Sequence, residues 1–193
     1  MRTPLTQVGI AAFLAILAIP RAQGQAAPAT AVPDPMLGAA KAASNYMRAM
    51  LTTAGEQMSD ADYAFRPTPD VRTFGQLLAH VAESNYQFCS SVLGETQPVR
   101  DVEKTVTARD DIRRVLAGSF DYCDRAHAAV EGNRTGPTAS FHGESLPVLV
   151  VLVFRTHHAA LHYGNVITYM RLRGKVPPST TPSTASSSER GDQ

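Results

Sequence analysis

His158 and His162 stand four residues apart in a long apolar stretch of helical pattern, and His80 lies in a second amphipathic stretch. Four residues turn an α-helix by ~400°, so both imidazoles leave one face a single turn apart. Two neutral imidazoles on one face make half of a metal site, and a facing helix can supply the rest. Three imidazole nitrogens also leave a coordination position open to water or substrate, the arrangement that catalytic rather than structural sites use.

The helices that must carry these residues have their own punctuation. A first helix is expected from Asp34, an N-cap ahead of Pro35, to about Ala54, with Met36, Ala40, Ala43, Met47 and Met50 inward. A loop from Gly55 to Val71 leads to a second helix opened by a Thr73–Gln76 capping box and closed at Gly94. A third runs from a Thr107–Asp110 capping pattern to Gly132, with Ile112, Val115, Leu116, Phe120 and Cys123 inward. After a loop from Asn133 to Ser145, the fourth is capped by Ser145 and ends at Arg173, ahead of Gly174, Pro177 and Pro178. No segment reads as an alternating strand. The fold class expected is all-α, an up-down four-helix bundle.

On the wheel of the fourth helix, Val151, Arg155, His158, His162, Asn165 and Tyr169 form one seam by alternating steps of four and three. Unpartnered buried polar groups cost about 1–3 kcal/mol each, and a metal satisfies imidazoles at once. Arg155, Asn165 and Tyr169 are then positioned to orient a substrate. His157 lies ~100° around the helix from His158 and takes a surface or structural role. His80 has Gln76, Glu83, Ser84 and Gln87 beside it; Glu83, one turn on, is either a proton carrier behind the metal or a solvated helix residue. His127 and His142 have no partner spacing and read as incidental.

Cys89, nine residues from His80, points the opposite way and is excluded as a fourth ligand. It and Cys123, the only cysteines, form either one disulfide between helices or two buried thiols. A bond closing that loop adds roughly 4 kcal/mol in the chain-entropy picture.

The ends differ in composition from the middle. Arg2, an apolar run from Val8 to Ile19 and the small residues Ala22 to Gly24 describe a secretory signal peptide over residues 1–24. That run is shorter than the about 20 residues a membrane span needs. Residues 25–33 read as a linker, 34–178 as the folded domain, and the Ser/Thr/Pro-rich 179–193 as a disordered tail. A periplasmic or secreted location follows, without stable membrane association once the signal is removed. Removing Arg2 and Arg21 with the signal takes the net charge from +1 to −1. That balance, with no basic stripe, excludes nucleic acid as a partner. The chain has no His-Glu-x-x-His, Gly-x-Ser-x-Gly, Walker-type loop or dinucleotide fingerprint.

Taken together, the segments FRPTPDVRTFGQLLAH (Phe65 to His80) and HAALHYGN (His158 to Asn165), with the exit from Tyr169 to Pro178, resemble the DinB-like family. The resemblance spans about residues 34–178. It implies a four-helix bundle holding a divalent ion, zinc or nickel, through His80, His158 and His162. It also implies frequent homodimers, and relatives that include thiol-dependent transferases. The function expected is metal-dependent hydrolysis or group transfer on a small-molecule substrate of unknown identity. The alternatives are a non-catalytic metal-binding or sensing module, or a metal-free bundle with hydrogen-bonded histidines.

Overall fold

The structure is a computed structural model that describes residues 34–131 and 138–180. The expected signal peptide and linker, the helix stop at Gly132 and the tail beyond Thr180 lie outside the described residues.

Four long helices make the bundle: α1 (Pro35–Gln57), α3 (Phe74–Leu93), α5 (Arg109–Val130) and α6 (Val148–Leu172). Each packs chiefly on two others, in the ring α1, α6, α3, α5. The shared core holds Leu51, Phe74, Leu78, Leu116, Phe120, Val166 and Met170, all 2% exposed or less. The all-α bundle expected from the sequence is the observed fold.

Local signals set most of the boundaries. The Asp34 side chain accepts from the Met36 and Leu37 amides at the start of α1. The Thr73–Gln76 box is reciprocal at the start of α3, with bonds of 3.1 and 2.9 Å. Gly94 ends α3 in the left-handed region (φ 67°), which glycine enters without a Cβ penalty.

Other expectations are corrected. The inward stripe of α1 is Leu37, Ala40, Ser44, Met47, Leu51 and Ala54, while Met36 and Ala43 face out and Met50 is only half-buried. The expected stripe was right at Ala40 and Met47 and one position off elsewhere, because alanines and methionines populate both faces. The segment Gly55–Val71 is not all loop. Its first residues extend α1, and α2 (Asp60–Tyr63) follows, capped by Ser59 in a reciprocal box with Asp62. A further short helix, α4 (Val102–Thr105), lies between α3 and α5. Helix α5 starts from Ala108 with no side-chain cap, so the Thr107–Asp110 pattern does not form.

An antiparallel hairpin stands where only loop was expected: β1 (Thr138–Phe141) pairs with β2 (Glu144–Pro147). Its turn, His142 (φ 50°) and Gly143 (φ 83°), has the two positive φ values of a type I′ connection. Ser145 is therefore a strand residue, and Pro147 takes the N-cap position of α6. At the other end, order extends past 178: Pro178–Thr180 form a 3-10 turn, and the Ser179 amide donates to Tyr163 Oη at 3.1 Å. Cys89 of α3 and Cys123 of α5 are joined in a disulfide with Cα atoms 5.2 Å apart.

Candidate metal centre

Helices α3 and α6 are ring neighbours, and their contact brings the three histidines together. Ring centroids lie 5.3 Å apart for His80–His158, 4.7 Å for His80–His162 and 4.5 Å for His158–His162. One ligand nitrogen from each falls within 4.8 Å of the other two, so the cluster could hold a metal ion. His158 Nε2 and His162 Nδ1 are buried with no hydrogen-bond partner. Such nitrogens lose their solvation and regain nothing unless something else occupies the space between them.

His80 has its other nitrogen committed. Its Nδ1 lies 3.2 Å from Glu103 Oε2, and Glu103 Oε1 accepts from Arg72 Nε at 2.8 Å. A carboxylate on Nδ1 fixes the tautomer and leaves Nε2 for a ligand. Glu103 belongs to α4, four residues long, and carries no periodic signal in the sequence. Glu83 does not reach the histidine. Its carboxylate accepts from the Asp101 and Glu103 amides, at 3.0 and 3.4 Å, and so braces the turn that presents Glu103. Asp101 sits in that turn at φ 55°, a strained value for a non-glycine residue.

Electrostatics keeps the cluster neutral. Burial, then the Arg72 charge, lowers the His80 pKa, against the opposing pull of Glu103. Burial and the neighbouring His80 lower His158, and burial with His158 and His80 pushes His162 down to about 4. Burial works to raise the Glu103 carboxyl, but the Arg72 hydrogen bond and charge outweigh it and hold the group below its usual value. Neutral imidazoles beside an ionised carboxylate are the protonation states a divalent ion requires.

The hairpin walls one side. Phe141 stacks on Phe88 at 4.4 Å, Phe88 lies 5.8 Å from His158, and Ser91 Oγ donates to the Ser140 carbonyl. Exposed His142, at the hairpin tip, packs edge-on against Phe141. His157 is exposed, as expected.

The remaining seam residues part company. Arg155 is fully buried in the core, donating to Ser44 Oγ, Asn85 Oδ1 and Thr156 Oγ1, with burial lowering its pKa to about 10. Asn165 is exposed. Tyr169 is buried, and its hydroxyl donates to the Arg72 carbonyl at 2.8 Å. Arg155 and Tyr169 thus spend their polar groups on the protein itself, while the Asn165 side chain faces outward. His127 is not incidental. It is 2% exposed, both ring nitrogens lack partners, and burial with the Arg155 charge lowers it to about 4. The spacing Leu116, Phe120, Cys123, His127 already put it on the inward stripe of α5.

The family model of the DinB superfamily matches residues 43–166. A DinB-like protein from Bacillus cereus ATCC 10987 is similar in structure, with a TM-score of 0.62 and 16% identity over 74% of this chain and 93% of that one. The DinB-like protein YjoA of Bacillus subtilis gives a TM-score of 0.59 and 14% identity over 77% of this chain and 100% of that one. No curated protein matches the chain.

Proposed function

This chain belongs to the DinB superfamily, and on that premise we propose that it is an exported metalloprotein binding zinc or nickel through His80, His158 and His162. The observation that carries this is the pair of buried, unpartnered nitrogens, His158 Nε2 and His162 Nδ1, on two members of a three-histidine cluster whose ligand atoms lie within 4.8 Å of one another. The chemistry proposed is hydrolysis or group transfer on a small molecule. A divalent ion supplies Lewis acidity, polarising a carbonyl or phosphoryl oxygen and acidifying water. The chain's part is to hold three neutral imidazoles, orient His80 through Glu103, and exclude solvent with Phe88 and the hairpin.

A second reading, a metal-binding module without turnover, is favoured by one observation: the two orphaned nitrogens are sealed from solvent. A screen of esters, amides and electrophilic thiol acceptors with metal-loaded protein separates the readings. Turnover that His158→Ala and a chelator both abolish supports the enzyme; metal bound with no turnover supports the module.

Export is supported by the Cys89–Cys123 disulfide, a bond that persists in oxidising compartments. Among the described residues no helix is long and apolar enough to cross a membrane. A homodimer is supported by the outer face of α6, where Val153, Phe154 and Leu161 are 46%, 47% and 58% exposed and recur at helical spacing.

A further inference from the structure

Arg72 is held at both ends without having its hydrogen-bonding capacity used up. Its carbonyl accepts from Tyr169, its Nε donates to Glu103, and it immediately precedes Thr73, the N-cap of α3. Its side chain is 40% exposed. Nη2 lies 3.5 Å from His80 Nδ1, but a His80 Nδ1–H that donates to Glu103 cannot also accept from the guanidinium. Among the described residues Nη1 has no partner. The N–H groups of both terminal nitrogens are therefore unspent, with Nη2 held beside His80.

Charge points the same way. Three neutral imidazoles and a divalent ion give +2, Arg72 adds one, and Glu103 and Glu83 remove one each. An excess of positive charge remains in a half-buried, aromatic-walled site, where the guanidinium fork matches a planar or tetrahedral oxyanion.

We propose that Arg72 is the anion-recognising residue of this centre, and that its ligands are small molecules carrying a carboxylate or phosphate. The inference rests on the metal reading above. Arg72 binds the oxyanion, Glu103 and Tyr169 keep the guanidinium aimed, and uncharged analogues lose this contact.

The test uses zinc-loaded protein, wild type and Arg72→Gln, titrated calorimetrically with inorganic phosphate, acetate and uncharged imidazole, with zinc content measured in parallel. The expected result is at least a tenfold loss of phosphate and acetate affinity in Arg72→Gln and a change under twofold for imidazole. Equal oxyanion affinity in two proteins that both hold zinc overturns this inference alone. Failure of wild type to hold zinc overturns the metal reading and this inference with it. A measurement independent of the variant is phenylglyoxal modification of the zinc-loaded wild type, mapped by mass spectrometry. Phosphate is expected to slow modification of Arg72 at least fivefold and to leave exposed Arg114 unaffected; no protection at Arg72 overturns the proposal.

Discussion

Glu103 Oε2 lies 3.2 Å from His80 Nδ1, and the same carboxylate accepts from Arg72 Nε at 2.8 Å. One residue of a four-residue helix thus sets the tautomer of a histidine on α3. The turn that carries it is tied back to α3 by Glu83. Carboxylates behind metal-ligating histidines typically contribute 10–100-fold in metal affinity. Glu103→Ala is therefore expected to weaken zinc binding by about that factor in chelator competition. Glu83→Gln keeps one acceptor oxygen, enough for the shorter bond from the Asp101 amide, and is expected to cost less.

The disulfide joins α3 to α5, whereas the three histidines belong to α3 and α6, and it packs with Tyr86, Tyr122 and Leu152. Replacing both cysteines with alanine is expected to lower unfolding stability by about 2–5 kcal/mol. Zinc stoichiometry is expected to stay unchanged. Urea unfolding with and without reductant, alongside metal analysis, reads both.

His127 makes a pH signature separate from the metal centre. Its folded pKa, about 4, lies below the unfolded value of 6.5. The unfolded chain therefore takes up a proton that the fold refuses, and this contribution to stability is lost as pH falls from 6.5 towards 4. The loss over that window is on the order of 2–3 kcal/mol. Metal-free wild type and His127→Leu, unfolded in urea at pH 4–7, are expected to differ in slope, with the variant shallower.

The exposed row on α6 gives an association test. Leu161→Glu, at a position 58% exposed, is expected to turn a sedimenting dimer into a monomer while leaving the melting temperature of the monomer nearly unchanged. A wild type that sediments as a monomer at all concentrations removes the homodimer.

What the sequence made legible follows from how local each determinant is. The caps at Asp34, Thr73 and Gly94 depend on a few adjacent residues, and all three form. The His158/His162 pair depends only on the pitch of a helix, and it converges with His80 because α3 and α6 are neighbours. Arg155 lies on the inward seam that the wheel gives, but its partners were not legible, for a physical reason. Helix α6 is apolar on both faces, with Val153, Phe154 and Leu161 outside and Val151, Leu152 and Val166 inside, so its wheel does not say which polar residue faces a cleft. The core took the arginine, pairing its terminal nitrogens with Asn85 and Ser44 and leaving Nε without a partner. Glu103 and Arg72 lie outside any long helix, and their meeting with His80 is a tertiary event that spacing cannot report. The hairpin escaped notice because its turn is His142-Gly143 rather than Asn-Gly, between strands of four residues each.

The central claim is that His80, His158 and His162 together hold one divalent ion. Its most direct test is metal analysis by mass spectrometry of the purified protein, wild type beside the triple variant His80→Ala/His158→Ala/His162→Ala. Circular dichroism confirms that both are folded. One equivalent of zinc or nickel per wild-type chain, and none in the folded variant, is the predicted result. A wild type free of metal after incubation with zinc and nickel, or a variant that retains a full equivalent, contradicts it.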